Sequence, residues 1–295
     1  MTTAMLIFAR NAKTLKDPDG GDTMQADAGV ASLARQGALV GGGTLALLGL
    51  ALASDLDGFT WIRWLFLASP IAGIVYASRQ PGDDAQRLAA IGVLFIASMI
   101  FWAIFEQAGT TIALFADQLT RTDIAGVPFP SSWFQSINPI FVILLAPVFA
   151  LLWMRLGARQ PSPAIKFAIG LVFLAASFVL MVPAAKLAAD GRVSPLWLIG
   201  LFFLQTVGEL LLSPVGLSTM TKLAPARMTG LVLGIWFLAA ALGNKLAGVL
   251  GGGFSGADPT GLAEGFLVQA GLVAVAAGLL FAAAPWVKKL SASAR

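Results

Sequence analysis

The chain is organised as a series of long apolar runs separated by short polar stretches. Eight runs can be marked, at residues 36–54, 64–78, 88–115, 133–153, 167–185, 193–221, 228–250 and 265–287. All except 64–78 reach the roughly 17 to 25 residues that an α-helix needs to cross a bilayer, and the short run can still cross with help from its flanking residues. Because the runs are continuous rather than alternating, they predict membrane-spanning helices and not the strands of a barrel.

The composition agrees with an integral membrane protein. Of the 295 residues, 58% are hydrophobic and 12% are charged, which is about half the charged fraction of an ordinary soluble domain. The sequence contains no cysteine and no histidine, which excludes disulfides, thiolate metal sites and the usual proton-switching side chain. Any proton chemistry within the membrane is therefore expected to involve carboxylates.

Lysine and arginine are distributed unevenly between the two sides of the predicted membrane protein. With eight spans and both termini on one side, that side holds 14 of the 19 basic residues and the other side holds five. The positive-inside rule then places both termini in the cytoplasm of a multi-pass protein of the inner (plasma) membrane. The basic residues lie singly in loops, so the sequence pI of about 9.7 does not indicate a nucleic-acid-binding patch.

Two glutamates, Glu106 and Glu209, fall inside the predicted spans. A carboxylate near the bilayer centre costs on the order of 2.5–3.5 kcal/mol, so each should face protein or water rather than lipid. Each has a polar or aromatic residue one helical turn to either side, namely Trp102 and Thr110 around Glu106, and Gln205 and Ser213 around Glu209. The pattern fits a polar stripe inside a binding cavity. The alternatives are a structural carboxylate paired with a neighbouring helix, or a carboxylate that lies at the membrane interface.

Three further residues have a functional and a structural interpretation. Pro214 lies one turn after Glu209 and favours a kink, which marks a transporter binding site in some folds and a packing feature in others. Asn138 precedes a proline and is either a site residue or a helix cap. Trp236 is either a site residue or an ordinary aromatic that faces lipid or the core.

The motifs of soluble enzymes are missing from the sequence. It contains no GxGxxG followed by an acid, no P-loop, no HExxH and no Ser/His/Asp set. The spans also offer no pairing of a nucleophile with a base. We therefore expect no enzymatic activity, no cofactor and no metal.

Several stretches resemble one known family. "FWAIFEQAGTTIALFAD", "SWFQSINPIFVILLAPVFALLW", "SPLWLIGLFFLQTVGELLLSPVGLSTMTKLAP" and "GIWFLAAALGNKLAG" are similar, in order and spacing, to the proton-dependent oligopeptide transporter family of the major facilitator superfamily. The resemblance covers about residues 101–248 and only the second half of the family's fold. It implies an all-α integral membrane protein whose six strong segments are the family's helices seven to twelve.

The resemblance also implies a domain organisation. Residues 1–35 correspond to a cytoplasmic tail and linker, and residues 36–80 resemble the extra transmembrane helix pair that bacterial members insert between the halves. Residues 86–288 correspond to the six-helix bundle, and 289–295 to a second cytoplasmic tail. The family's first six helices have no counterpart in the sequence.

The family's site residues can be transferred by position. Glu209 matches the acid that receives the peptide's amino terminus, and Asn138 matches an amide that contacts the peptide backbone. Glu106 matches the acid linked to proton coupling through pairing with a basic residue of the first half. Three more residues match positions that line the pocket: Trp102, Ser213 and Trp236.

These implied roles agree with simple electrostatics. A dipeptide is a zwitterion, and a desolvated carboxylate is a good partner for its ammonium group. Burial disfavours the charged form of a carboxyl group whereas a nearby cation favours it, so breaking a salt bridge on substrate entry promotes proton uptake.

The expected function is the C-terminal half of a proton-coupled di-/tripeptide symporter that is active only with a complementary N-terminal bundle. The expected partners are small peptides, protons, the lipid bilayer and that six-helix half, with no nucleic acid. The alternative is a transport-inactive fragment or a membrane scaffold or regulatory subunit.

Overall fold

The computed structural model describes residues 82–124, 126–224, 228–252 and 259–292. The described residues form seven α-helices: α1 (Gly82–Phe105), α2 (Thr111–Gln118), α3 (Ile137–Leu156), α4 (Pro163–Leu187), α5 (Leu196–Leu223), α6 (Thr229–Gly252) and α7 (Pro259–Ala292). The expected tail, linker and extra helix pair of residues 1–80 lie outside the described residues. At the other end, α7 runs past the predicted end of the bundle at residue 288.

Short elements connect these helices. They are the 3-10 segments Glu106–Gly109, Ser131–Ser136, Gly157–Arg159 and Ala188–Asp190, and the antiparallel strands β1 (Asp123–Ile124) and β2 (Val127–Pro128). The two strands, each two residues long, are a small departure from the all-α prediction. They form a hairpin in the connection between the first two spans.

Six elements in the described part of the chain are long and apolar enough to cross a membrane. They are Asp84–Gln118, Ser131–Arg159, Pro163–Asp190, Leu196–Leu223, Thr229–Gly251 and Pro259–Lys289. Each coincides, within a few residues at its ends, with one of the last six apolar runs of the sequence, so the prediction of a six-helix bundle is confirmed. The first of these spans consists of α1, a 3-10 segment and α2.

The helices pack in a definite pattern. Helix α4 lies between α7 and α5, α1 packs against α6, and α3 contacts mainly α5. The core contains fully buried phenylalanines from several helices, among them Phe101, Phe167, Phe178 and Phe266. Edge-to-face contacts join some of these rings, as between Phe178 and Phe266.

Helices α4 and α5 approach each other at a pair of glycines. A Cβ atom on Gly208 would lie 2.8 Å from the carbonyl oxygen of Gly170, and a Cβ atom on Gly170 would lie 2.9 Å from that of Gly208. Small residues allow such close backbone contact between membrane helices. Glu209 follows Gly208 and is rotated about 100° around α5 from that contact. The close packing therefore turns the glutamate away from α4.

Helix α3 is the least covered element. None of its residues is buried by the rest of the described chain, although it is strongly apolar. Large side chains such as Ile143, Leu144 and Met154 are exposed along it. Lipid or a second protein is therefore required to cover most of α3.

Candidate functional site

The first span is interrupted at Glu106. Helix α1 ends at Phe105, residues 106–109 form a 3-10 turn, and Thr110 has φ −121° and ψ −96°, outside the helical region. A regular helix then resumes at Thr111. The 3-10 turn and the residue after it change the helical register between Trp102 and Thr110, so the single stripe expected for Trp102, Glu106 and Thr110 stays a prediction.

Gln107 holds this interruption in place. Its side chain is fully buried, and its Nε2 donates to the carbonyl oxygens of Ala103 at 3.3 Å and of Ala247, on α6, at 3.1 Å. Its Oε1 accepts from the hydroxyls of Thr110 at 3.1 Å and Thr111 at 2.8 Å. One amide therefore links both sides of the break to α6.

Small residues on α6 allow this contact. A Cβ atom on Gly243 would lie 2.5 Å from Cβ of Trp102 and 2.9 Å from the carbonyl oxygen of Met99. Two turns further on, a Cβ atom on Gly251 would lie 2.7 Å from Oγ1 of Thr110. With Ala247 between them, the two glycines form one helical stripe, so α6 supports the first span directly below and above the break.

The second glutamate lies in direct contact with the predicted amide. Nδ2 of Asn138 donates to Oε2 of Glu209 at 3.0 Å and to the hydroxyl oxygen of Thr206 at 3.1 Å. Thr206 is fully buried and donates in turn to the carbonyl oxygen of Phe202 at 2.7 Å. The cap interpretation of Asn138 is wrong, because Ser136 occupies the cap position of α3 and Asn138 instead joins α3 to α5.

The residues one turn from Glu209 lack polar contacts within the described part of the chain. The side-chain amide of Gln205 is fully buried and makes no hydrogen bond there, and neither does the hydroxyl of Ser213. Pro214 lies inside α5, which runs without a break from Leu196 to Leu223. The kink expected at this proline stays a prediction.

The two tryptophans differ in their surroundings. Trp102 is half-buried and makes edge-to-face contacts with Phe101 and Phe105. Trp236 is 6% exposed, and its ring lies against Gly216 and edge-to-face with Phe167. The role of each in lining a pocket, like that of Ser213, stays a prediction.

Both glutamates are only partly buried by the described part of the chain. Asn138 is the hydrogen-bonding partner of Glu209 there. A partly desolvated acid in a membrane favours either proton uptake or the arrival of a cationic group.

This arrangement is that of one bundle of a membrane transporter of the major facilitator type. Six apolar spans carry two partly buried acids and a partly buried amide, and the first of these spans is interrupted at one of the acids. Comparison with known proteins agrees: the sequence model of the POT family (PTR2) matches residues 56–260. The chain belongs to the POT family, a family of transporters.

Named relatives are similar over part of their length. The chain is 48% identical over 174 residues to "Peptide transporter YePEPT" of Yersinia enterocolitica, covering 57% of this chain and 34% of that protein. It is 36% identical over 210 residues to "Di-/tripeptide transporter" of Lactococcus lactis subsp. cremoris, covering 66% and 42% respectively. A Bacillus subtilis protein, "Uncharacterized transporter YclF", is 46% identical over 60% of this chain and 37% of its own.

Solved structures agree in fold. Peptide transporter POT in complex with alafosfalin superposes with a TM-score of 0.76 at 36% identity, over 88% of this chain and 54% of that one. The same transporter in complex with sulfate gives a TM-score of 0.73 with the same coverage. The chain thus spans about half the length of these structures, and less of the curated relatives.

Replacing Gln107 tests its role in the break. Gln107→Leu removes four hydrogen bonds and leaves two carbonyls and two hydroxyls to find new partners. Hydrogen bonds inside membranes average about 0.6 kcal/mol, so we expect a loss of roughly 1–2 kcal/mol and a Tm lower by about 3–6 °C.

The measurement is thermal unfolding of the purified chain in detergent, with Gln118→Leu as the matched control. Gln118 is the exposed last residue of α2. Equal Tm values for the two variants would show that Gln107 does not stabilise the break.

Proposed function

We propose that this bundle is the C-terminal half of a proton-coupled symporter of di- and tripeptides, and that a second bundle completes its site. The observation that carries the proposal is the hydrogen bond between Asn138 and Glu209, which joins α3 to α5 at an acid that the described residues leave only partly buried. The names of the Yersinia and Lactococcus relatives, both peptide transporters, support the substrate class.

Glu209 is the binding group for the peptide's ammonium in this proposal. One of its oxygens accepts a hydrogen bond from Asn138, which fixes the carboxylate while leaving its other oxygen for a ligand. A charge-assisted hydrogen bond in a partly desolvated site is among the strong ones. Asn138 would stay within reach of the peptide backbone because it neighbours the same carboxylate.

Glu106 is the proton-coupling group. It is the first residue of the 3-10 turn that interrupts the first span of the described chain. A cation brought by a second bundle would stabilise the charged form, and its removal would favour the protonated form. Arrival of a peptide ammonium at Glu209 would also change whether the charged or the protonated form of Glu106 is favoured.

The second bundle is proposed from what the described residues leave uncovered. Helix α3 buries none of its residues, and Asn138 and Glu209 are each only partly buried. Alternating access in this type of fold requires two bundles that move about a shared site. We place the chain in the inner (plasma) membrane with both termini in the cytoplasm, from the distribution of lysine and arginine.

Glu209→Gln tests the amine-binding role. In a complete transporter assembled from this chain and the N-terminal half of the Yersinia relative, we expect dipeptide uptake to fall roughly 10- to 100-fold, because a charge-assisted hydrogen bond is lost. Glu264→Gln, an exposed acid on α7, serves as the control and should retain uptake. Uptake by Glu209→Gln at the parental rate would overturn the assignment.

Glu106→Gln tests proton coupling in the same assembled transporter. The amide mimics the protonated acid, so we expect loss of accumulation driven by a proton gradient while exchange of labelled dipeptide across the membrane without a gradient continues. Both activities are measured in the same liposomes. A proportional loss of the two would point to a structural role instead.

A further inference from the structure

A cavity of about 710 Å³ lies between α3 and α5, where the first turn of α4 closes one end. Six apolar residues from the two helices make up much of its wall: Ala146, Phe149, Ala150, Leu210, Pro214 and Val215. The cavity is separate from the Asn138 and Glu209 contact, because neither residue lines it. The cavity lies between the same two helices, α3 and α5, nearer to their C-terminal ends.

Lys166 lies at the closed end of this cavity. Its side chain is 7% exposed, its Nζ donates to Oε1 of Gln160 at 2.8 Å, and the same atom lies 3.8 Å from the ring centroid of Trp153. Both partners are uncharged. They orient the ammonium group but do not neutralise it, and a buried charge without a counter-ion is costly.

Lys222 also contributes to the wall, and it has the same sign. Among the described residues that line the cavity, no aspartate or glutamate accompanies the two lysines. Within this part of the chain, two cations therefore face one partly apolar space. A ligand with a negative charge and an apolar part would complement both features.

The position of the lysines fits the membrane surface. Trp153 is in the last turn of α3, Lys166 is in the first turn of α4, and Lys222 is the last residue but one of α5. Tryptophan and lysine at span ends are typical of the interface between hydrocarbon and headgroups. Arg155 and Arg159 follow at the same end, which the positive-inside rule assigns to the cytoplasmic leaflet, where anionic lipids are found.

We propose that this cavity binds an anionic phospholipid, with its phosphate held by Lys166 and Lys222 and an acyl chain lying along the apolar groove between α3 and α5. Basic pockets between membrane helices on the cytoplasmic side are suited to such headgroups. Lipid is favoured over a free anion because the wall beyond the lysines is apolar and can accommodate an acyl chain. The proposal does not depend on peptide transport.

The test uses the purified 295-residue chain in neutral detergent, titrated with dioleoyl phosphatidylglycerol and, separately, with dioleoyl phosphatidylcholine. Native mass spectrometry counts the bound lipids. We expect a phosphatidylglycerol adduct that is retained more tightly than phosphatidylcholine, and a loss of affinity of about fivefold for each lysine removed.

The variants are Lys166→Met, which keeps the length and apolar stem of the buried side chain, and Lys222→Ala on the exposed side. Lys186→Met is the matched control, because Lys186 lies in the last turn of the same helix α4 and is exposed. Lys166→Arg should keep most of the affinity. Lys222→Ala gives a result even if Lys166→Met fails to fold, since Lys222 is exposed.

Three results would overturn the proposal. The first is equal binding of the two lipids, and the second is equal affinity in Lys222→Ala and Lys186→Met. The third is displacement of phosphatidylglycerol by millimolar inorganic phosphate, which would identify a free-anion site.

Discussion

Satisfying polar groups inside a bilayer is the constraint on which the rest of this structure depends. Breaking a spanning helix frees backbone groups that lipid cannot pair, so a break is tolerated only where protein supplies partners. At this break, Gln107 donates to the carbonyl oxygens of Ala103 and Ala247 and accepts from the hydroxyls of Thr110 and Thr111, which joins both sides of the break to α6. This arrangement lets Glu106 occupy a 3-10 turn within an apolar span.

The same need to pair polar groups explains the contacts between α3 and α5. Nδ2 of Asn138 donates to Glu209 and to Thr206, and the hydroxyl of Thr206 donates to a backbone carbonyl oxygen, so these polar groups of α3 and α5 have partners. Close glycine packing between α4 and α5 fixes the rotation of α5 that makes this possible. The candidate site thus depends on the close packing of the α4 and α5 backbones and on the hydrogen bonds of the Asn138 amide.

Hydropathy predicted the six spans because insertion into a membrane depends on the summed apolarity of a segment, which can be counted from sequence. Resemblance placed Glu106, Asn138 and Glu209 as site residues, and the structure brings Asn138 against Glu209.

The role of Gln107 was not predicted, because a glutamine beside an acid does not by itself indicate a helix interruption. The nearby Gly109, Thr110 and Thr111, within an apolar run, were the sequence feature that could have indicated it. The burial of Lys166 depends on how three helices pack together, so its position in the sequence did not predict it.

The central claim is that the acids and the amide form half of a peptide site, which a second bundle completes. The most direct measurement is proton-driven dipeptide uptake into liposomes that contain either this chain alone or this chain together with the N-terminal half of the Yersinia relative. The account predicts no accumulation with the chain alone and clear accumulation with both parts present. Robust accumulation by the 295-residue chain alone would contradict it.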